Sequence, residues 1–105
     1  MKKLNHANCL EDMVQRPHLI GIQNVIWSAK EMNFFHGHDL YCQPDIIFFN
    51  GQYYAIEYKS TDNAFAKAKD QLARASYCIQ EYFNKKPIKL FVWGKSPQYG
   101  ISRVN

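Results

Sequence analysis

Three residues in one short stretch, QPDIIFFNGQYYAIEYKS at 43–60, carry chemistry out of keeping with the apolar run around them: Asp45, Glu57 and Lys59. Glu57 and Lys59 stand two positions apart, so in a strand they share a face. Asp45 leads into Ile46, Ile47, Phe48 and Phe49, and Asn50-Gly51 is a strong hairpin signal between the two arms. The length of that turn decides what the charges can do. A two-residue loop sets Asp45 opposite Ile56 and sends Glu57 to the other face. A three-residue loop, with Gly51 or its neighbour left-handed, pairs Ile47 with Ala55, Ile46 with Ile56 and Phe48 with Tyr54. Asp45 then faces Glu57 at the ~5 Å typical of cross-strand neighbours. We expect that register, or a break at Pro44 that swings Asp45 round.

Two carboxylates at that separation repel, and one takes up a proton unless a cation lies between them. A hard divalent ion with oxygen ligands, magnesium above all, is the economical partner, and no convincing Cys/His cage argues for structural zinc. Lys59 on the same face could hold or help deprotonate a water, or neutralise charge building on a phosphate. The competing reading is a buried Asp/Glu/Lys ion-pair cluster, which is costly to bury and rarely improves on apolar packing.

The elements that must hold these groups follow from patterning. Both hairpin arms are apolar on both faces, which predicts interior strands of a sheet flanked by helices. Residues 4–15 form a helical stripe (Leu4, Ala7, Leu10, Met13, Val14) ended by Pro17, with Glu11 and Asp12 beside it. Residues 18–35 are compatible with a helix, but the β-rich Val25-Ile26-Trp27 favours a strand that ends before the turn His36-Gly37-His38. Residues 40–43 lead into the hairpin. Thr61-Asp62-Asn63 offers N-cap chemistry for a helix over 64–83, whose stripe is Phe65, Ala68, Leu72, Ala75, Ile79 and Phe83. Its opposite side carries Lys67, Gln71, Arg74 and Cys78. A buried strand over 88–93 follows, and an optional edge strand over 101–104. The expected order is α, β, β, β, α, β with a possible last strand.

Composition sets the outer bounds. The 105 residues, 47% apolar and 21% charged, suit one globular domain over 1–105. A net charge of +4 is compatible with a polyanionic partner without demanding one. Three scattered cysteines are no disulfide framework and suit a reducing, intracellular compartment. Neither a secretory signal nor a membrane-spanning run is visible. P-loop, nucleophile-elbow and dinucleotide motifs are absent.

Pro44-Asp45, an eleven-residue gap and then Glu57-Tyr58-Lys59 resemble the signature of the PD-(D/E)xK nuclease superfamily, whose restriction-endonuclease-like fold has an αβββαβ core with a central mixed sheet between helices. An acid opening one strand, ExK closing the next and a long helix at once after it strengthen the likeness. Leu10-Glu11-Asp12, Pro17-His18-Leu19, Val25-Ile26-Trp27 and Gln71-Leu72-Ala73-Arg74-Ala75 are further similar to the mismatch- and branched-DNA-cleaving members. The resemblance implies metal-dependent hydrolysis of DNA phosphodiesters, leaving a 5′-phosphate, with Mg2+ (or Mn2+) activating water. Asp45 and Glu57 would be metal ligands, the carbonyl of Tyr58 a third, and Lys59 the catalytic lysine. Glu11 would complete the metal site, often through water, and Gln71 would orient Lys59 or the phosphate. Some relatives have a tyrosine four residues after Gln71, where this chain has Ala75.

Weaker candidates surround this set. His36, His38 and Cys42 lack a fourth zinc ligand and read better as a loop near substrate, with either histidine on phosphate. Lys67 and Arg74 could grip a DNA backbone or be a solvated face. Lys85, Lys86, Lys89, Lys95 and Arg103 read as a solubilising set. A chain this short leaves no room for an appended DNA-binding module, so a homodimer or a partner protein is expected. The alternative function is a catalytically silent nucleic-acid-binding or assembly module with a nuclease-like fold.

Overall fold

A computed structural model describes residues 5–105; Leu4, expected to open the first helix, lies outside them. Helix α1 (His6–Gln15) begins at Asn5, whose side-chain oxygen accepts the Asn8 N–H at 2.8 Å. Cys9, Leu10 and Met13 form its buried side, while Ala7 stays exposed. Pro17 opens a 3-10 turn (Pro17–Ile20), and Gly21, at φ +77°, ends it in a left-handed conformation that favours glycine.

Strands β1 (Trp27–Lys30), β2 (Phe34–His36), β3 (Asp39–Cys42), β4 (Ile46–Phe49) and β5 (Tyr53–Lys59) follow, then helix α2 (Phe65–Phe83) and strands β6 (Ile88–Lys95) and β7 (Gln98–Val104). The chain is mixed α/β. One five-stranded sheet runs β1-β4-β5-β6-β7, with β5 and β6 parallel and the other neighbours antiparallel. A separate two-stranded sheet is made by β2 and β3.

The doubly apolar arms behave as expected. On one face Ile46, Phe48, Ile56 and Val92 pack with Leu10, Met13 and Ile20 from α1 and the 3-10 turn. On the other, Ile47, Ala55 and Phe91 pack with Ala68, Leu72, Ala75 and Ile79 of α2. Alternate residues of each strand therefore serve different helices. Each fully buried Ile, Leu or Phe contributes roughly 1.5–3 kcal/mol, and the two layers together hold β4 and β5 rigid.

Several expectations need correction. The strand read at Val25-Ile26-Trp27 starts only at Trp27, and Ile26 is 72% exposed although its N–H reaches the Phe49 carbonyl at 2.8 Å. As an edge strand, β1 has one ladder and needs less apolar patterning. Residues 40–43, expected as a lead into the hairpin, fall largely in β3, which pairs with β2, at the end of the expected strand, around the His36-Gly37-His38 turn. The optional last strand is a full seven-residue partner of β6. Thr61 makes no capping bond; a 3-10 turn (Asp62–Ala64) feeds α2 instead. Cys78, placed by spacing with the polar side of α2, is buried in the cluster that also holds Phe34. Among the described residues no helix is long and apolar enough to cross a membrane.

Candidate functional site

The turn between β4 and β5 sets the geometry. Asn50, Gly51 and Gln52 form a three-residue loop: Gly51 sits at φ +101°, the Asn50 N–H donates to the Gln52 carbonyl at 3.2 Å, and the Asn50 side-chain oxygen accepts the Gln52 N–H at 3.1 Å. The register is accordingly Phe49 to Tyr53, Phe48 to Tyr54, Ile47 to Ala55 and Ile46 to Ile56. The ladder ends there, and Asp45, one residue before it, lies beside Glu57 with its carboxylate within interaction range.

Asp45 lies in a bend just before β4, 9% exposed. Its backbone carbonyl accepts the Glu31 N–H at 2.9 Å. Oδ2 accepts the backbone N–H of Tyr58 at 2.8 Å, and Oδ1 lies 3.2 Å from Nε2 of His6. The N–H and C=O of one strand residue point to the same edge, so the Tyr58 carbonyl faces the same gap beyond the end of β4. Asp45 thus ties α1, the start of β4 and the end of β5 together.

Glu57 is 3% exposed. Burial first, and then the Asp45 carboxylate beside it, push its carboxyl up to about 9; Lys59 and the Asp45 backbone N–H act the other way without offsetting this. The two carboxyl groups are close enough to hydrogen-bond once one holds a proton. Such a pair can keep that proton or exchange it for a cation.

Both acids open on a polar cleft of about 260 Å³ between the β3–β4 connection and α2. Gln71 and Arg74 line it from the helix, and Cys42, Gln43 and Pro44 from the connection. Gln71 Oε1 is buried there with no hydrogen-bond partner among the described residues. Lys59 is half-buried on the Glu57 side of β5 and forms no ion pair among the described residues.

The structure thus brings Asp45, Glu57, Gln71 and Arg74 together, with Lys59 on the same strand face. Glu11 is not among the cleft-lining residues: its carboxylate bonds the Lys30 ammonium and, at 2.9 Å, the Gln15 amide, and these contacts, the Lys30 hydrogen bond foremost, hold it below the usual carboxylate range. Lys67 is exposed on α2 and is not among the cleft residues. His36 ends β2 with its ring 6.2 Å from that of Tyr41, and His38 is exposed in the β2–β3 turn. Among the described residues no group of three or more His, Cys, Asp or Glu side chains forms a ready metal cage.

His6 is the site neighbour that sequence reading missed. A signal was present: positions 6, 9, 10 and 13 lie on one helical stripe, so His6, itself exposed, stands one turn before the buried residues of α1 on the side that meets the sheet. Its ring packs 5.7 Å from that of Tyr58. Asp12, beside that stripe, is a clasp, accepting from Tyr99 Oη at 2.6 Å and from Arg16 Nε at 2.9 Å. Compared with known proteins, the chain matches no family model, no curated protein and no solved structure at a significant level.

Proposed function

We propose that this chain is a metal-dependent DNA nuclease of the PD-(D/E)xK kind, with the restriction-endonuclease-like arrangement of its core. The observation that carries the reading is the cross-strand pair Asp45 and Glu57, buried at one mouth of a polar cleft with Lys59 two residues on. The donor set fits a hard divalent ion: two carboxylates, the carbonyl edge of Tyr58 and the orphan Gln71 oxygen, with water for the remaining positions. Asp45, Glu57 and the Tyr58 carbonyl would hold Mg2+ or Mn2+. When bound, such an ion supplies Lewis acidity toward a phosphate oxygen and toward water.

The chain's own groups do the rest. Glu57 gives up its proton on loading, and Asp45 stays oriented by the Tyr58 N–H and His6. Lys59 holds a proton beside the phosphate and balances charge that builds there. Gln71 orients the phosphate or Lys59, and Arg74 at the cleft wall steadies the backbone of the DNA. A homodimer or a partner protein would bring the second site needed for both strands.

Binding without cleavage is the second reading, favoured by the engagement of the Glu11 carboxylate with Lys30. Incubation with linear, nicked, flap and four-way-junction DNA, with magnesium, manganese or chelator, separates the two. Metal-dependent cleavage lost in Glu57→Gln upholds the nuclease; binding with no cleavage under any metal replaces it with the silent module.

A further inference from the structure

A second cavity, of about 310 Å³, has a different character. Its walls are aromatic: Phe34, Phe35 and Tyr41 come from the β2–β3 hairpin, and Tyr77 and Tyr82 from α2. Phe35 is 62% exposed, Tyr77 59% and Tyr82 67%, so these rings are not occupied by the core. Tyr41 meets Tyr77 edge-on at 6.2 Å and Phe34 meets Tyr82 edge-on at 5.9 Å. Glu81 and His36 place polar groups in the same walls.

The two cavities are lined by the same two elements, β3 and α2. Cys42 lines the polar cleft and its neighbour Tyr41 the aromatic groove; on α2, Arg74 lines the cleft and Tyr77 and Cys78 the groove. From Gln71 to Tyr77 the helix rises only about 9 Å. A strand whose phosphate lies against Gln71 and Arg74 therefore brings a neighbouring base to the groove.

We infer that the aromatic groove takes an unpaired base of the DNA strand whose phosphate lies in the cleft, which would make single-stranded or locally unpaired DNA the preferred substrate; this rests on the nuclease reading for the direction of the strand. Flat rings with free faces stack on any base, and Glu81 and His36 can meet the polar edge that an apolar protein segment lacks. Arg74, which lines the cleft one turn of α2 before Cys78 of the groove, is placed to neutralise the phosphate that joins them. A paired base in a duplex keeps its faces covered by its neighbours and cannot enter.

The test is binding in chelator, where no cleavage intervenes, of a short single-stranded DNA carrying one fluorescent adenine analogue, against the same sequence as a blunt duplex. The single strand is expected to bind at least about tenfold more tightly and its fluorescence to be quenched by stacking. Tyr77→Ala and Phe35→Ala each weaken single-strand binding about tenfold and remove the quench, while Tyr77→Phe keeps both. These side chains are exposed, and circular dichroism confirms that the variants fold. Unchanged single-strand affinity and quench in both alanine variants overturn the inference. So does a wild-type dimer that Tyr77→Ala converts to monomer with no change in DNA binding, which makes the groove a contact between copies. Cleavage assays on the same proteins keep the two readings apart. Quench without any metal-dependent cleavage retains the groove and removes the nuclease; cleavage without quench does the reverse.

Discussion

The carboxylate of Asp45 is held by the backbone N–H of Tyr58 at 2.8 Å, the residue directly after the acid that Asp45 faces across the hairpin. One hydrogen bond thereby fixes the distance between a side chain on one strand and a side chain on the next. It also satisfies an N–H that would otherwise be stranded where β4 ends. Asp45→Ala should leave that buried N–H unpaired and cost about 1–3 kcal/mol, whereas Asp45→Asn keeps an acceptor and costs less. Urea denaturation of the two variants checks the order.

Glu57 should make the protein more stable in acid than in mild base. Its folded value, pushed up to about 9, lies above its ordinary one, so between the two the unfolded chain ionises while the folded chain keeps its proton. Unfolding then releases a proton, and stability falls with rising pH by up to about 1.4 kcal/mol per unit from this group. Glu57→Gln should flatten that slope and raise the melting temperature more at pH near 8 than near 5. Parallel pH profiles of wild type and variant decide; identical slopes would contradict the assignment.

The same linkage predicts the response to metal. An ion that displaces the shared proton binds the folded chain alone, so Mg2+ well above its dissociation constant should raise the melting temperature by about 4 °C or more. The rise should be larger at high pH and vanish in Glu57→Gln and Asp45→Asn. Thermal unfolding with magnesium or chelator at two pH values measures it.

Gln71 keeps a buried oxygen without a hydrogen-bond partner among the described residues, which is a cost to the fold. Gln71→Met should leave stability unchanged or raise it by up to about 1 kcal/mol. It should also lower cleavage about tenfold if the oxygen serves substrate or metal. A variant both less stable and fully active would place the side chain in the core instead.

Glu11→Gln tests the distance of that residue from the cleft. With its carboxylate on Lys30, the substitution should lower cleavage less than about tenfold, against about a thousandfold for Glu57→Gln. Single-turnover rates on one substrate compare them directly; equal losses would bring Glu11 into the site.

The parts legible in sequence were those with two independent signals. The arms of the central hairpin showed continuous apolar runs and an Asn-Gly turn, and α2 showed an apolar stripe of six residues from Phe65 to Phe83 and a break at 84–87 that ends it. Where signals were single, tertiary packing decided. β1, with one ladder and a sequence of Trp27-Ser28-Ala29-Lys30, looks like no buried strand. β2 and β3 pair with each other and lie over Tyr77 and Tyr82, a contact between segments far apart in the chain that local patterning does not encode. In the candidate site, the acids were readable because charge is conspicuous in an apolar run. His6 was not, because a histidine on a helix stripe resembles any other polar residue near an end.

The three-residue turn at 50–52 carries a constraint of parity. Adding or removing one residue there would reverse the faces of all of β5, turning Glu57 and Lys59 toward α1 and Tyr58 toward α2, while Asp45 stayed where it is. A change of two residues would slide the strand yet keep every side chain on its own face. The loop is therefore closed to a single insertion or deletion: the cleft is protected by counting, at a position where no cleft residue lies.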